Sequence, residues 1–196
     1  MTFPLLSHIN PETGEVAGVA ANLRFLENLK GYFLDETAYQ QALQLGNPTI
    51  YSVANVEPAQ GDGQLHYGLG RLMPGKIGRE YYFTAGHLHT HRPAAEFYIG
   101  LCGEGLLLLQ HEMTGETLVL PLKANLVIYV PGYTAHRTVN CGTTPLTYLG
   151  VYPAQAGHDY GRIKETNFNK VVLEVDGQPT VMDRQEALKL ISQDKL

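Results

Sequence analysis

The sequence predicts an all-β fold, a small barrel or sandwich, with a short N-terminal helix and a C-terminal hairpin-and-helix extension. Three observations lead there. From Pro48 onward short strand-like runs follow one another, separated by turn signals such as "QGDGQ" and "PGKIG", and strands at such spacing build sandwiches and barrels. No repeat or low-complexity tract interrupts them. Finally, 196 residues, 44% of them hydrophobic and 17% charged, suffice for one core. One domain is expected over residues 1–196, with its barrel at about 48–155, an N-terminal extension at 1–47 and a C-terminal extension at 156–196.

In chain order, "DETAYQQALQLG" at 35–46 opens on acidic residues, continues with good helix formers and stops at Gly46, so it predicts a helix. The strand-like runs are "TIYSVANV", "LHYGLGRLM", "YYFTAGHLH", "EFYIGL", "LLLLQHEM", "TLVLPL", "LVIYV", "HRTVN" and "LTYLGVY". The tail "KVVLEVDGQPTVMD" predicts a hairpin turning on Asp176 and Gly177, then a helix opened by a capping box of Asp183 with Glu186.

Charge and composition exclude several functions. A net charge of −5 with scattered Lys and Arg leaves no basic stripe for nucleic acid. The segment "MTFPLLSHINPETG" has no basic flank leading into a long apolar run, and apolar runs elsewhere are strand-sized, so a soluble, cytoplasmic, membrane-free protein is expected. Cys102 and Cys141 are far apart and form no C-x-x-C, which suits a reducing compartment.

The chemistry concentrates in "GHLHTHRPAAEFYIG", residues 86–100. On an extended chain His87 and His89 share a face, with Cα atoms about 7 Å apart, and can converge on one ion. Pro93 ends that run. A new strand from Glu96 puts Glu96, Tyr98 and Gly100 on one face and Phe97, Ile99 and Leu101 on the other. If the second set packs the shell, Glu96 points inward, where a carboxylate needs a cation. His136, just after the Pro131-Gly132 turn and on the same parity as Asn140, supplies a third imidazole. An H-x-H pair alone is weak, since it also arises by chance, but the phased glutamate and the later histidine make a metal site of His87, His89, Glu96 and His136. His91 borders the end of its strand and is expected at the rim; His8, His66 and His111 have no evident partners and are expected in structural or solvent roles. Tyr148, Gly150 and Tyr152 share a face that could floor a ligand or simply pack a core.

"HLH", Glu96 and "PGYTAHRTVN" resemble the two motifs of the cupin superfamily, whose small β-barrels hold a metal on three histidines and a glutamate. The chain departs from those motifs at Tyr81 and Asn125, where glycine is usual, at the longer spacing before Glu96, and at Gly132, displaced by one position; Asn125 suits a left-handed turn. Within the superfamily, "MPGKIGREYYFTAGHLH", Glu96 to Tyr98, "YVPGYTAHRTVN" and "YPAQAGHDYG" are similar to the cupin-type glucose-6-phosphate isomerases, over roughly half the chain.

The resemblance implies interconversion of glucose 6-phosphate and fructose 6-phosphate, with the open-chain sugar chelated by the metal and hydrogen moved between C1 and C2. It implies one divalent ion per subunit, Fe2+ ahead of Mn2+, Zn2+ or Ni2+. Glu96, His136 and Tyr98 form the expected catalytic set, and Tyr51, Thr84, Gly86, Tyr98, Tyr152, His158 and Tyr160 the substrate-binding set, with an imidazolium at His158 facing phosphate. Strand parity directs Thr84 away from the His87 face unless a bulge near Gly86 intervenes. Gly70 stands where the resemblance implies a phosphate-binding threonine, which would weaken that contact. Proton transfer and hydride shift both remain open, as do an iron dioxygenase and a non-catalytic sugar-binding cupin. A homodimer is expected, and "LLLLQ" at 106–110, apolar on both parities, fits either a dimer strand or a monomer core.

Overall fold

The structure, a computed structural model, describes residues 5–194. The first four residues of the segment that argued against a leader lie outside them. The chain begins with a hairpin of β1 (Ile9–Asn10) and β2 (Glu15–Val16), then β3 (Asn22–Phe25), a single 3-10 turn and helix α1 (Glu36–Leu45). Asp35 caps α1 by accepting from the Ala38 N–H at 3.0 Å, so the predicted helix forms where its acidic start placed it.

The middle of the chain forms β4 (Thr49–Val56), β5 (Leu65–Leu72), β6 (Lys76–Ile77), β7 (Glu80–Tyr81), β8 (Glu96–Cys102), β9 (Glu104–His111), β10 (Thr117–Lys123), β11 (Val127–Val130), β12 (Thr134–Val139) and β13 (Leu146–Pro153). Six strands make one antiparallel sheet, in the order β11-β8-β13-β5-β4-β3, and β10-β9-β12 make a second. The sheets face each other as the walls of a small barrel. Tyr98, Ile128 and Tyr148 from the first pack with Leu107, Leu109 and Leu122 from the second in one buried cluster. Alternation explains this cluster: its side chains point inward from both sheets, and burying them is the main stabilising term.

The C-terminal extension adds α2 (Gly161–Thr166), the hairpin β14 (Lys170–Val175) with β15 (Gln178–Asp183), and α3 (Arg184–Gln193). Asp176 and Gly177 both take positive φ, 50° and 74°, as the predicted tight turn requires. This hairpin continues through β7 and β6 into a four-stranded sheet. The capping box expected at Asp183 is absent. Asp183 makes no side-chain cap, because its carboxylate pairs instead with Lys170 across the hairpin at 3.0 Å.

Two further expectations change. "YYFTAGHLH" is not one strand: β7 belongs to the C-terminal sheet, and from Tyr82 the chain crosses to run beside β12 through isolated bridges. Phe97, Ile99 and Leu101 do not pack a closed shell, since Phe97 is 48% exposed and the other two are half-buried. Among the described residues the outer face of β8 is covered only in part, where Leu101 and Leu149 border a cluster containing Val16 of the N-terminal hairpin. Within "LLLLQ", Leu108 enters one interior cluster while Leu107 and Leu109 enter another, the monomer-core reading of that run. Among the described residues no helix is long and apolar enough to cross a membrane.

Candidate active site

His87 and His136 are bridged in backbone register, each N–H donating to the other's carbonyl at 3.2 and 3.0 Å. His89 follows two residues on, and Glu96 enters from β8. One ligand atom from each of these four residues lies within 4.8 Å of the others. The imidazoles are oriented from behind: Nδ1 of His89 meets the Ala94 carbonyl at 2.9 Å, and Nδ1 of His136 the Thr134 carbonyl at 3.1 Å. In a neutral ring that contact keeps the proton on Nδ1 and leaves the Nε2 lone pair aimed at the centre.

The centre is then short of positive charge. Oε2 of Glu96 sits 3.2 Å from Nε2 of His89 and 3.1 Å from Nε2 of His136, and the Nε2 atoms of His136 and His87 are 3.0 Å apart. Despite these distances, Nε2 of His89 and Oε2 of Glu96 are buried without a well-aligned hydrogen bond among the described residues. Three imidazole nitrogens and a carboxylate oxygen that converge on one point are arranged as ligands. Burial pushes the Glu96 carboxyl up, but His136 and His89 outweigh it and bring it down to about 2, so the group is a carboxylate. His87 lies well below the ordinary imidazole range, through burial first and then His136, His158 and His89, so it offers a lone pair and no charge. The donor set of three nitrogens and one oxygen fits a divalent cation.

A cleft opens over this centre. Tyr51, Thr84, Gly86, Tyr98, Tyr152, His158 and Tyr160 all line it, beside His87 and Glu96. Thr84 reaches it through a bulge. Phe83 pairs with Val139 but His87 with His136, one residue out of step, and Gly86 between them has φ of 74°. The Thr84 hydroxyl also accepts from the Thr138 N–H at 3.1 Å. His158 is held over the cleft by a backbone bridge between Leu88 and Asp159. Arg92 ties the same loop down, meeting Asp159 at 2.7 Å, Glu112 at 2.8 Å and the His89 carbonyl.

Residues 23–188 match the family described as glucose-6-phosphate isomerase (GPI). The glucose-6-phosphate isomerase of Thermococcus kodakarensis is 46% identical over 92% of this chain and 94% of that protein. That of Pyrococcus horikoshii is 43% identical over 92% of this chain and 95% of its own. The chain belongs to the glucose-6-phosphate isomerase family. Among solved structures, an oxalate oxidase superposes with a TM-score of 0.50 at 15% identity, over 59% of this chain and 57% of that one, and shares the cupin-like barrel alone.

Seen in this isomerase-family chain, the cleft floor is a product of strand parity. Asn22 and Arg24 on β3, Tyr51, Val53 and Asn55 on β4, Gly68 on β5, and Tyr148, Gly150 and Tyr152 on β13 all face inward. Sequence reasoning missed Asn22, Arg24, Val53, Asn55 and Gly68. The parity of Tyr51 would have found Val53 and Asn55, whereas β3 is an edge strand of four residues, too short for its alternation to stand out.

Gly70 acquires a local reason. A Cβ there would lie 2.4 Å from Cζ of Tyr148, so the Tyr148 ring fills the space a threonine would need. His158 lines the cleft, as expected. Its ring centroid is 4.5 Å from that of His87, at the metal end of the cleft, and burial pushes its pKa down. His91 is exposed, as expected of a rim residue. Among the other histidines His8 is exposed, His66 meets the Ala59 carbonyl at 2.8 Å, and His111 contacts Thr114. Asn140 is structural, donating to the carbonyls of Leu72 and Thr144 at 2.9 Å each.

Proposed function

We propose that the chain interconverts glucose 6-phosphate and fructose 6-phosphate as a divalent-metal-dependent aldose-ketose isomerase. This reading rests on family membership and on the divided carboxylate of Glu96. Its Oε2 meets His89 and His136, while its Oε1 faces the bare Cα of Gly150 on the cleft floor. His87, His89, Glu96 and His136 would hold one ion per subunit, Fe2+ ahead of Mn2+, Zn2+ or Ni2+. When bound, such a cation supplies Lewis acidity toward the carbonyl and adjacent hydroxyl oxygens of an open-chain sugar.

The chain's own groups divide the remaining work. Glu96 Oε1 carries the proton between C1 and C2, and His136 anchors the other oxygen of the same carboxylate. Burial raises the Tyr98 hydroxyl well above its ordinary range and Tyr152 to about 12, so both stay protonated and donate hydrogen bonds to sugar oxygens. Neutral His158 contacts the sugar beside His87. Tyr51, Thr84, Gly86 and Tyr160 bind the rest of the substrate. The single domain works as a cytoplasmic homodimer; exposed Phe97, Val127 and Tyr129 on the outer faces of β8 and β11 suit contact with a second copy.

A coupled assay of fructose 6-phosphate turnover tests this on chelated protein, before and after each metal is added back. Activity restored by Fe2+ is expected. Turnover equal in the chelated and loaded protein would refute metal dependence, and substrate-dependent oxygen uptake without turnover would make the chain a dioxygenase. Substrate deuterated at C2 and turned over in ordinary water should lose label; full retention would assign a hydride shift.

A further inference from the structure

A sugar phosphate brings about two negative charges into the cleft, and something there must answer them. The ionisable residues lining the cleft are few. Glu96, His87 and His158 sit together at the metal end, where the ring centroid of His158 lies 4.5 Å from that of His87. Among the described residues Arg24 is the one Lys or Arg in the lining. It stands on β3, opposite Tyr51, at the far edge of the six-stranded sheet from Glu96. Four strand steps of about 4.8 Å separate β3 from β8, and barrel curvature and the long arginine side chain shorten that span, so the two groups can address opposite ends of one extended ligand.

The guanidinium is uncommitted. Among the described residues it makes no ion pair, and its one hydrogen bond is a long 3.5 Å contact with the Leu23 carbonyl beside it. Its surroundings suit an anion. Tyr51, which pairs with Arg24 in the register, and Tyr160 line the same cleft, and burial raises both hydroxyls, so both stay protonated. Gly86 presents its backbone to the same cleft, and among the described residues its N–H donates to no protein group. A planar guanidinium with hydroxyls and a free N–H around it is a donor set for a phosphoryl group.

We infer that Arg24 is the phosphate-recognition residue of this site, gripping the 6-phosphoryl group at the β3 edge of the cleft while the sugar carbons reach the Glu96 end. The inference rests on the isomerase reading for its substrate. It also explains how the chain dispenses with a side chain at position 70: the ionic contact comes from the N-terminal extension instead.

The test uses the metal-loaded protein, with Arg24→Met and Arg24→Lys. Arg24→Met should raise KM for fructose 6-phosphate about tenfold or more and leave kcat within about a factor of two, because one charge-assisted contact shared by ground and transition states is lost. Arg24→Lys should recover part of the KM, since it restores charge without the fork. Inorganic phosphate should compete in the wild type and lose about tenfold in inhibition with Arg24→Met. A variant that turns over with unchanged KM and unchanged phosphate inhibition would overturn the inference while leaving the isomerase reading intact. If fructose 6-phosphate is not turned over at all, the isomerase reading fails, and stabilisation against heat by inorganic phosphate still decides the role of Arg24. Loss of that stabilisation in Arg24→Met supports the inference, and equal stabilisation in both proteins defeats it.

Discussion

A Cβ on Gly150 would lie 2.4 Å from Oε1 of Glu96, so the metal-end carboxylate occupies space that only a glycine on the neighbouring strand leaves open. The register makes this unavoidable, because Gly150 pairs with Tyr98, two residues along β8 from Glu96. Gly150→Ala should push Glu96 out of line and lower metal affinity and turnover by about 10- to 100-fold, the scale seen when a group supporting a ligand is disturbed. Metal titration beside steady-state kinetics checks it; wild-type affinity in a folded variant would show that Glu96 can shift freely.

Tyr148 and Gly70 interlock in the same way on the next row. Gly70→Thr drives a side chain into the Tyr148 ring and should cost about 1–3 kcal/mol by overpacking. In a Tyr148→Ala background the same change should cost less. A double-mutant cycle in denaturant measures the coupling, and strictly additive effects would mean that the two positions do not compete for space.

Glu80 gives the protein a distinct pH dependence. It is 2% exposed, accepts from the Leu34 N–H at 2.8 Å, and has its carboxyl raised from 4.5 to about 7, by burial first, against the Leu34 contact and the charges of Arg137 and Arg184. A carboxyl raised in the folded state contributes stability that is complete below its unfolded pKa and is lost as pH climbs through the folded one. Between about pH 4.5 and 7 this group should therefore remove on the order of 3 kcal/mol of stability. Glu80→Gln cannot ionise, so its stability relative to wild type should rise across that window. Parallel stability-pH curves would contradict it.

Loading the metal should stabilise the folded chain, since the four ligands are brought together only by folding. At a free metal concentration of 100 times Kd the gain is about 2.7 kcal/mol. Calorimetry of chelated protein with and without Mn2+ should show the unfolding midpoint rising in the wild type and barely moving in His136→Ala. Equal shifts in both would place the ion elsewhere.

Much of this architecture was written locally. Alternation within β8 and β13 sent Glu96, Tyr98, Tyr148 and Tyr152 inward, and the spacing of His87 and His89 brought both to one face, because a strand's side chains alternate whatever its neighbours do. The turn at Asp176 and Gly177 and the stop at Gly46 were equally readable from the residues that such turns demand. Even the bulge that lets Thr84 face the cleft was foreshadowed by Gly86. Asp183, by contrast, could cap a helix or pair with Lys170, and only the hairpin register chose between them.

The sequence by itself determined which residues could be ligands and which face of each strand they occupy, since both follow from side-chain chemistry and the two-residue repeat of an extended chain. Tertiary structure alone decided that Arg24 shares a cleft with Tyr51, that His158 lies against His87, and that Gly70 and Gly150 are vacant for Tyr148 and Glu96. Those relationships join strands far apart in the chain. They depend on strand order, register and loop closure, which the whole core selects and no local segment encodes.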